Sequence, residues 1–360
     1  MKQMIISRIV IFFFLISISQ AQEYPTAYFL RFTDNAQNFG IGDIGSVATD
    51  RNISSGLSYN PALLTKNEPQ AAVLASGMPY LRQLVPNRFF ANTGILYAPD
   101  SINSFGYNYT YFYQSKIAFS PSLPPIRIYD MSQKLRYSRR VSEKFSLGAG
   151  LVHLNRRLPD LSGRENNFAV DLGANYLNFY TLSENTLFRL NMGAALMNLG
   201  PKASHDLYWN PPHFVPGFLP ATLQTGIMAG IIKESETRKF TIDVAYQIQK
   251  LLYPTQVTTE MSAFRGIIHS FSSQPGGFSA DELIHQFGLE ASYQKGRTII
   301  TSRTGLFLEK YRYVDQRYFS LGLGAEHKGF LLDFAYMAPL TQRHPMANTV
   351  IISLGKRILI

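Results

Sequence analysis

The chain of 360 residues contains no cysteine, carries a formal net charge of +10, and is rich in phenylalanine (26) and tyrosine (21). The lack of cysteine excludes a disulfide-stabilised scaffold and thiolate metal sites. The positive charge comes without a nucleic-acid-binding motif, so it indicates contact with anionic lipid headgroups rather than with nucleic acid.

The N-terminal 21 residues have the pattern of a secretory signal peptide. Lys2 and Arg8 precede a short apolar stretch at residues 9–18, and small residues end the segment at Ala21. A charged start, a short apolar centre and a small-residue cleavage site are typical of such a signal. We therefore expect export and cleavage after Ala21. No later apolar run reaches the roughly 20 residues that a membrane helix needs.

The next segment, residues 22–67, is loop-like and contains a glycine hexapeptide of the form G-x-G-x-x-G. That motif indicates a dinucleotide site only between a strand and a helix of a βαβ unit, and no such unit surrounds it. The pattern instead predicts a tightly turning segment that fills the lumen of a barrel. We assign this role to Gly40, Gly42, Gly45, Asn60 and Pro61.

Fourteen segments of the remaining chain, residues 68–360, alternate between apolar and small or polar side chains. One of them is residues 167–180, where Phe168, Val170 and Leu172 alternate with residues such as Asp171. Because side chains of a strand alternate between its faces, one face suits lipid and the other suits a wet lumen. The predicted strands are residues 70–78, 89–97, 102–113, 126–137, 145–154, 167–180, 186–199, 221–232, 239–249, 284–293, 298–309, 318–327, 329–338 and 349–359.

The connections between these segments alternate between short and long. The longest are residues 200–220 and 250–283. Residues 310–317 form one of the shorter members of the long set. Short periplasmic turns and long outer loops are typical of an up-and-down outer-membrane barrel. The sequence therefore predicts an all-β, fourteen-stranded antiparallel transmembrane barrel with the N-terminal segment inside the lumen. A secreted β-sandwich also alternates but does not explain the connection lengths.

The two longest loops combine prolines with aromatic residues, while the outer loops as a group carry many arginines and lysines. Stiff loops with aromatic anchors suit protein recognition, because less conformational entropy is lost on binding. An alternative is that these loops fold down into the lumen. The cations suit the phosphates of lipopolysaccharide. The residues predicted to bind a partner are Leu207, Tyr208, Trp209, Phe214, Phe218, Tyr253, Phe264, Phe271 and Phe278.

The sequence gives little indication of an enzyme. His205 and Asp206 form the only neighbouring His–Asp pair, and no nucleophile is identified beside them. The other histidines lack metal-ligand spacing. We predict neither a catalytic site nor a metal or cofactor site, and an outer-membrane hydrolase centred on His205 and Asp206 is the remaining enzymatic hypothesis.

Several stretches, in order and spacing, resemble the PorV family of the type IX secretion system of Bacteroidota. They include FGIGDIGSVAT at residues 39–49, FAVDLGANY at 168–176, MGAALMNLGPK at 192–202 and HPMANTVIISLG at 344–355. That family is similar to FadL, the long-chain fatty-acid channel. The resemblance implies an outer-membrane barrel of fourteen strands with its N-terminal segment in the lumen.

The resemblance also implies a non-enzymatic role in protein secretion. Proteins of this family bind the folded C-terminal signal domain of cargo at the translocon barrel and pass the cargo to a sortase-containing attachment complex. Two alternatives stay open, a FadL-like channel for hydrophobic molecules and the related PorQ-type component. The sequence departs from the family pattern at Phe39, where a small residue is usual, and at the terminal Ile360.

Overall fold

Fourteen of the sixteen strands that the structure describes close into an antiparallel barrel. The computed structural model describes residues 25–65, 67–81, 87–117, 125–157, 164–205, 215–253, 261–272, 280–311, 314–341, 347 and 349–360. The strands are β1 (Gln70–Pro79), β2 (Phe89–Ala98), β3 (Asn103–Ile117), β4 (Ile126–Ser142), β5 (Phe145–Arg157), β6 (Arg164–Ser183), β7 (Thr186–Leu199), β8 (Ala203–His205), β9 (Val215–Gly217), β10 (Thr222–Ser235), β11 (Arg238–Leu251), β12 (Leu283–Lys295), β13 (Thr298–Tyr311), β14 (Val314–His327), β15 (Phe330–Pro339) and β16 (Val350–Leu359).

Each wall strand pairs with its neighbours along the chain, and the first wall strand pairs with the last. The seam between β1 and β16 runs from the pair Gln70 and Leu359 to the pair Gly77 and Ile352. Strands β8 and β9 form a separate two-stranded hairpin outside the wall, so β7 pairs directly with β10. The barrel therefore has no unpaired wall edge, as a membrane-spanning sheet requires.

All fourteen predicted wall strands are present, and the structure corrects their ends. The predicted long loop at residues 310–317 is wrong, because β13 continues to Tyr311 and β14 starts at Val314, with these two residues paired. The two strands extend as a hairpin past the expected rim, where backbone pairing satisfies the polar groups that a loop would leave to water.

The two faces of the wall differ as the alternation predicts. On β6, Phe168 and Leu172 are exposed on the outer surface, whereas Asp171 is fully buried on the lumen side. On the neighbouring strand β7, Arg189 is also buried. The wall thus presents an apolar surface to lipid and a polar one to the interior, and the predicted fold class is confirmed.

Residues 25–65, here called the plug, fill the lumen, as predicted for the N-terminal segment. The plug contains short helices joined by turns: a 3-10 helix at Tyr28–Arg31, α1 (Ala36–Gly40), α2 (Ser54–Ser58) and a second 3-10 helix at Pro61–Leu64. The Asn35 side chain accepts a hydrogen bond from the Asn38 backbone N–H at 2.9 Å and so caps α1. Helices this short are marginal in water, so their contacts with the wall stabilise them.

An aromatic layer closes the outer end of the lumen. Phe39 of the plug packs against Tyr318 of β14, with ring centroids 5.6 Å apart. Phe90 and Phe112, on β2 and β3, stack at 4.1 Å with nearly parallel rings, and Phe29 of the plug lies 6.4 Å from Phe112. This layer is the main apolar core of the molecule, and it uses Phe39, the residue that departs from the family pattern.

Two outer loops contain elements that the sequence did not indicate. The hairpin β8–β9 lies in the loop between β7 and β10, and a helix, α3 (Ala263–His269), lies between β11 and β12. Ser262 caps α3, its side chain accepting from the Arg265 backbone N–H. None of the helices in the described part of the chain is long and apolar enough to span a membrane. The predicted signal peptide falls in residues 1–24, outside the described residues.

Candidate functional site

The plug meets the wall through glycines on the lumen face of nine strands. At each of them, an added Cβ would come within about 3 Å of a plug atom. On β7, for example, a Cβ on Gly193 would overlap the carbonyl oxygen of Ser46. The plug therefore lies directly against the wall backbone around most of the circumference, through its own backbone on β5, β7, β13 and β14 and through side chains such as Leu57 on β2 and β3. We call this set the glycine belt: Gly94, Gly106, Gly148, Gly173, Gly193, Gly226, Gly288, Gly305 and Gly322.

The three glycines of the hexapeptide also lie at close contacts, two of them with the wall and one within the plug. A Cβ on Gly40 would be 2.9 Å from the Cα of Gly322 on β14. Gly42 has a φ of 78°, a left-handed conformation that favours glycine, and a Cβ there would be 2.9 Å from the Phe287 carbonyl oxygen. Gly45 lies against the ring of Tyr59 within the plug. The structure thus brings Gly40 and Gly42 to the wall and places Gly45 inside the plug.

Asn60 connects two parts of the plug to β6. Its side-chain amide donates to the carbonyl oxygens of Ser46, at 2.8 Å, and of Ala174, at 3.0 Å. Its Oδ1 accepts from the Ala62 backbone N–H at 3.0 Å and caps the second 3-10 helix. Pro61, the first residue of that helix, packs against the glycine belt on β5 and β6. This geometry uses every polar atom of the Asn60 side chain.

Arg136 on β4 binds the end of α2. Its guanidinium donates to the carbonyl oxygens of Gly56, Ser58 and Tyr59 at 2.8–3.1 Å. It also forms a fully buried ion pair with Asp171 of β6 at 2.6 Å. A wall cation therefore satisfies the carbonyls that a helix leaves free at its C-terminus, and it neutralises a wall carboxylate at the same time.

A second cation forms a comparable centre on the other side of the lumen. Arg303 of β13 pairs with Glu290 of β12 and with Asp333 of β15, each at 2.7 Å. The two carboxylates in turn accept hydrogen bonds from the plug, Glu290 from Thr49 at 2.9 Å and Asp333 from Gln37 at 3.0 Å. Buried charges are tolerated here because each one is paired and hydrogen-bonded.

Within the plug, Asp43 is a buried carboxyl with two hydroxyl donors. Thr33 and Tyr59 both donate to its Oδ1. Burial raises the pKa of Asp43 to about 7, although the hydrogen bonds from Thr33 and Tyr59 oppose this rise. Burial likewise raises the pKa of the Tyr59 hydroxyl well above its usual value, so Tyr59 stays a donor.

The lumen below the plug opens at the end of the barrel that has the short turns. A cavity of about 890 Å³ lies there, and most of the residues that line it, from the plug and the wall, are charged or polar. Arg189 pairs with Asp243 at 3.2 Å, and Arg357 pairs with Glu326 at 3.2 Å. Arg51 of the plug lies in the lining of the same cavity. The cavity is therefore a polar vestibule rather than an apolar ligand pocket.

On the outer side, two residues predicted to bind a partner are buried at the base of the loops. The rings of Phe218 and Tyr253 lie edge to face, with centroids 5.6 Å apart, and the Phe218 carbonyl accepts from the Thr26 backbone N–H at 2.9 Å. Gly266 of α3 lies directly against the Phe218 ring. The expectation of exposed rings is wrong for Phe218 and Tyr253, because the two loops pack on each other and on the plug.

Helix α3 presents an exposed apolar stripe above this base. Phe264, Ile268 and Phe271 are 73%, 57% and 48% exposed, and their spacing places them on one side of the helix and its C-terminal extension. Lys250 approaches the Phe271 ring at 5.7 Å and pairs with Glu282 at 2.7 Å, which ties the end of the stripe to the barrel rim. Leu207, Tyr208, Trp209, Phe214 and Phe278 lie outside the described residues.

Sequence reasoning did not single out Arg136, Asp171 or Asp43 as a group. Arg136 and Asp171 lie on strands β4 and β6, which are not adjacent, and their plug partners are far away in the chain. A charged residue on the small, polar face of a predicted barrel strand is the signal that could have identified the first two. The burial of Asp43 has no comparable sequence signal.

Comparison with known proteins gives one family. A family model described as type IX secretion system protein PorV matches residues 19–258. No curated protein matches the chain.

The chain is also similar to solved outer-membrane channels at low sequence identity. The CymD monoaromatic hydrocarbon channel is 14% identical, with 91% of this chain and 97% of that chain covered and a TM-score of 0.47. A FadL homologue from Pseudomonas aeruginosa is 10% identical, with coverages of 93% and 97% and a TM-score of 0.45. The P. putida toluene transporter TodX is 11% identical, with coverages of 91% and 99% and a TM-score of 0.47.

Proposed function

Because this chain belongs to the PorV family of type IX secretion system proteins, we propose that it binds the folded C-terminal signal domain of secreted cargo at the outer rim of the barrel. The protein lies in the outer membrane and is a component of that secretion system. In the proposed cycle it receives cargo from the translocon barrel and passes it to a sortase-containing attachment complex.

The observation that carries the proposal is the apolar stripe of α3. Phe264, Ile268 and Phe271 expose large side chains at the outer rim, where an isolated soluble surface would favour polar residues. Gly266, on the other side of the helix, is fixed against Phe218, so the stripe is held in one orientation. A pre-positioned apolar helix face suits insertion into a groove of a folded partner, because little conformational entropy is lost on binding.

The test replaces the stripe while keeping the base of the loops. We expect the triple variant Phe264→Ala, Ile268→Ser, Phe271→Ser to lose at least about tenfold in binding to a purified cargo signal domain, since aromatic anchors dominate such interfaces. Leu340→Ser is the matched control, because Leu340 is an exposed apolar residue at the same end of the barrel. Heat-modifiable migration on a gel reports whether each barrel is folded.

Unchanged cargo binding and surface release in the triple variant would overturn the proposal. Point substitutions are preferable to deletion of residues 200–220, the other loop predicted to bind a partner. That deletion also removes Phe218 and would leave Tyr253 and Gly266 without their packing partner.

A contact with lipopolysaccharide phosphates at the outer rim is part of the same proposal. Arg317 already pairs with Asp315 at 2.6 Å, and Arg156 pairs with Asp130 at 2.8 Å, so these two are less suited to it. Lys116, exposed near the outer end of β3, is the better candidate. Lys116→Gln should reduce binding of the purified barrel to lipopolysaccharide, and unchanged binding would remove this residue from the proposal.

The vestibule supports a secretion component over a channel for hydrophobic molecules. Its lining includes Arg51, Arg189, Asp243, Glu326 and Arg357, which would have to lose water for an apolar solute to enter. Uptake of a hydrophobic substrate by the purified barrel in vesicles would reverse this preference.

A further inference from the structure

The vestibule at the short-turn end of the barrel carries more positive than negative charge. Seven of the residues that line it are lysines or arginines, and five are aspartates or glutamates. Three of these five acids are already paired with an arginine, in the pairs Arg189–Asp243, Arg357–Glu326 and Arg303–Glu290. The other two acids, Asp50 and Glu68, are exposed. The acids of the vestibule therefore do not neutralise all of its cations.

Arg51 of the plug brings an unpaired guanidinium to this cavity. It lies in the turn between α1 and α2, where the Asn52 backbone N–H donates to the Thr49 carbonyl oxygen at 3.0 Å. Its Nη2 donates to Oε1 of Gln294 at 3.0 Å, and its Nη1 is buried with no hydrogen-bond partner among the described residues. A buried donor without an acceptor is unfavourable. The Arg51 side chain thus has hydrogen-bonding capacity that the protein leaves unused.

Two arginines of the wall add like charge around Arg51. Arg189 on β7 and Arg357 on β16 line the same cavity. Burial lowers the pKa of Arg51, Glu290 and Glu326 oppose this change, and the charges of Arg357 and Arg189 lower the pKa further. Like charges around one cavity repel one another less when an anion lies among them. The arrangement therefore favours an anion in the vestibule.

Two exposed cations border the mouth of the cavity on neighbouring turns. Arg297 lies in the turn between β12 and β13, and Lys328 lies in the turn between β14 and β15. The Lys328 backbone N–H donates to the Arg297 carbonyl oxygen at 3.1 Å, so the two turns are side by side. In the described part of the chain, no ion pair includes Arg51, Arg297 or Lys328. An anion that enters from the periplasm meets these two cations before it reaches Arg51.

The cations and the shape of the cavity favour a phosphate group over other anions. A guanidinium binds phosphate through parallel N–H donors, and a lysine adds a point charge. A phosphate carries up to two negative charges, whereas a carboxylate carries one, so phosphate better matches several unpaired cations. The volume of about 890 Å³ is within the range of small-molecule sites. Because the plug closes the inner end of the cavity, a compact group fits better than a chain that threads the barrel.

We propose that the vestibule binds a phosphate-bearing anion from the periplasmic side, between Arg51 of the plug and the wall cations Arg297 and Lys328. The anion connects the plug to two turns of the wall and supplies an acceptor for Arg51. Two sources share this chemistry, a soluble phosphate compound and the phosphate headgroup of an inner-leaflet phospholipid. The site does not depend on cargo binding, because the vestibule and α3 lie at opposite ends of the barrel.

The first test titrates inorganic phosphate into the purified full-length protein in a neutral detergent by calorimetry, at low ionic strength held constant with chloride. We expect saturable binding with a Kd of about 1 mM or lower. In Arg51→Gln the affinity should fall by about tenfold, because charge-assisted hydrogen bonds are lost. Arg238→Gln is the matched control, since Arg238 is an exposed arginine at the same end of the barrel outside the vestibule lining. Absence of saturable binding, or equal affinity in Arg51→Gln and the wild type, would overturn the proposal.

A second variant makes the test independent of plug packing. Arg297 and Lys328 are exposed turn residues, so the double variant Arg297→Gln, Lys328→Gln should melt as the wild type does. Its affinity for phosphate should nevertheless fall by about tenfold. Unchanged affinity would contradict a site between the plug and these turns. The α3 triple variant should bind phosphate as the wild type does, so failure of this site and failure of cargo binding are distinguishable.

The source of the phosphate group is determined by repeating the titration in lipid nanodiscs. If a phospholipid headgroup occupies the site, discs of phosphatidylglycerol should suppress the binding of added phosphate that discs of phosphatidylcholine permit. If a soluble compound occupies it, both kinds of disc should permit binding. Each of these results supports the site, whereas no binding of phosphate in either kind of disc would count against it.

Discussion

Gly193 on β7 and Ser46 in the plug are so close that the carbonyl oxygen of Ser46 occupies the space of a Cβ on Gly193. The same relationship recurs around the glycine belt, with different plug atoms at each strand. A wall built this way fits one conformation of the plug. At Gly148, Gly193, Gly305 and Gly322 the nearest plug atoms belong to the backbone, so a larger residue there must displace either plug or wall, because no side chain can move aside.

We expect Gly193→Ala to displace the plug without preventing barrel formation. Overpacking of this kind typically destabilises by about 1–3 kcal/mol, more where backbone must move. The measurement is the thermal midpoint of the purified protein, together with the rate of protease cleavage in residues 25–65. Gly77→Ala is the control, because the nearest atom to a Cβ there is the Phe90 carbonyl oxygen at 3.9 Å. Equal midpoints for the two variants would contradict the belt as a constraint on the plug.

Arg136→Met should destabilise the protein by about 3–5 kcal/mol, because it leaves Asp171 buried without its ion-pair partner. The carbonyl oxygens of Gly56 and Tyr59 would also lose the Arg136 donor, whereas that of Ser58 keeps Lys134, at 3.1 Å. Adding Asp171→Leu should recover part of the loss, since the unpaired charge is removed. Arg139→Met, on an exposed position of the same strand, serves as control. Thermal unfolding of the wild type, Arg136→Met, Asp171→Leu and the double variant measures the coupling between the two residues, and additive effects would argue against a direct pair.

The buried carboxyl of Asp43 should make stability depend on pH. Its pKa rises from 3.8 to about 7 on folding, mainly through burial. The protonated form is therefore favoured in the folded state. Its contribution to the free energy of unfolding is fully present below about pH 4 and is lost as the pH rises through 7. The rise in pKa corresponds to a change of about 4 kcal/mol in the free energy of unfolding between these two pH limits.

We accordingly expect the thermal midpoint to fall between pH 5 and pH 8 in the wild type. In Asp43→Asn the fall should be much smaller, whereas Asp50→Asn, at an exposed plug position, should keep it. A midpoint in Asp43→Asn that follows the wild type across this range would assign the pH dependence to another group.

Removal of the plug should open the barrel to ions. The plug contacts wall strands around most of the circumference, and the aromatic layer closes its outer end. We expect the wild type to show no steady conductance in a planar bilayer and a variant lacking residues 36–64 to conduct. Stable conductance of the intact protein would show that the plug leaves a passage.

The wall was predictable from the sequence, while most of the plug contacts were not. Alternation on segments such as β6 determines which face of a strand meets lipid, because only the face that carries Phe168 is apolar. Alternation does not determine which lumen residue meets which plug residue. Arg136 and the end of α2 are 77–80 residues apart in the chain, and only the closed barrel brings them together.

The outer loops were predicted only in composition. Prolines and aromatic residues indicated stiff recognition loops, yet Phe218 and Tyr253 are buried against each other, since an aromatic residue on a loop can pack as well as bind. Helix α3 has only seven residues, too few for its periodicity to stand out, so the exposure of Phe264 could not be separated from that of Phe218. At residues 310–317, the polar sequence indicated a loop, whereas the two strands pair as far as Tyr311 and Val314.

The seam between β1 and β16 constrains the order in which the molecule assembles. The plug directly precedes β1, and β1 can pair with β16 only after the last strand has been made. A folded plug that interlocks with nine wall strands and lies beneath an aromatic layer cannot pass along a finished lumen. We therefore expect the wall to wrap around the plug during closure. A barrel refolded without residues 25–65 should then fail to take up that segment as a separate peptide.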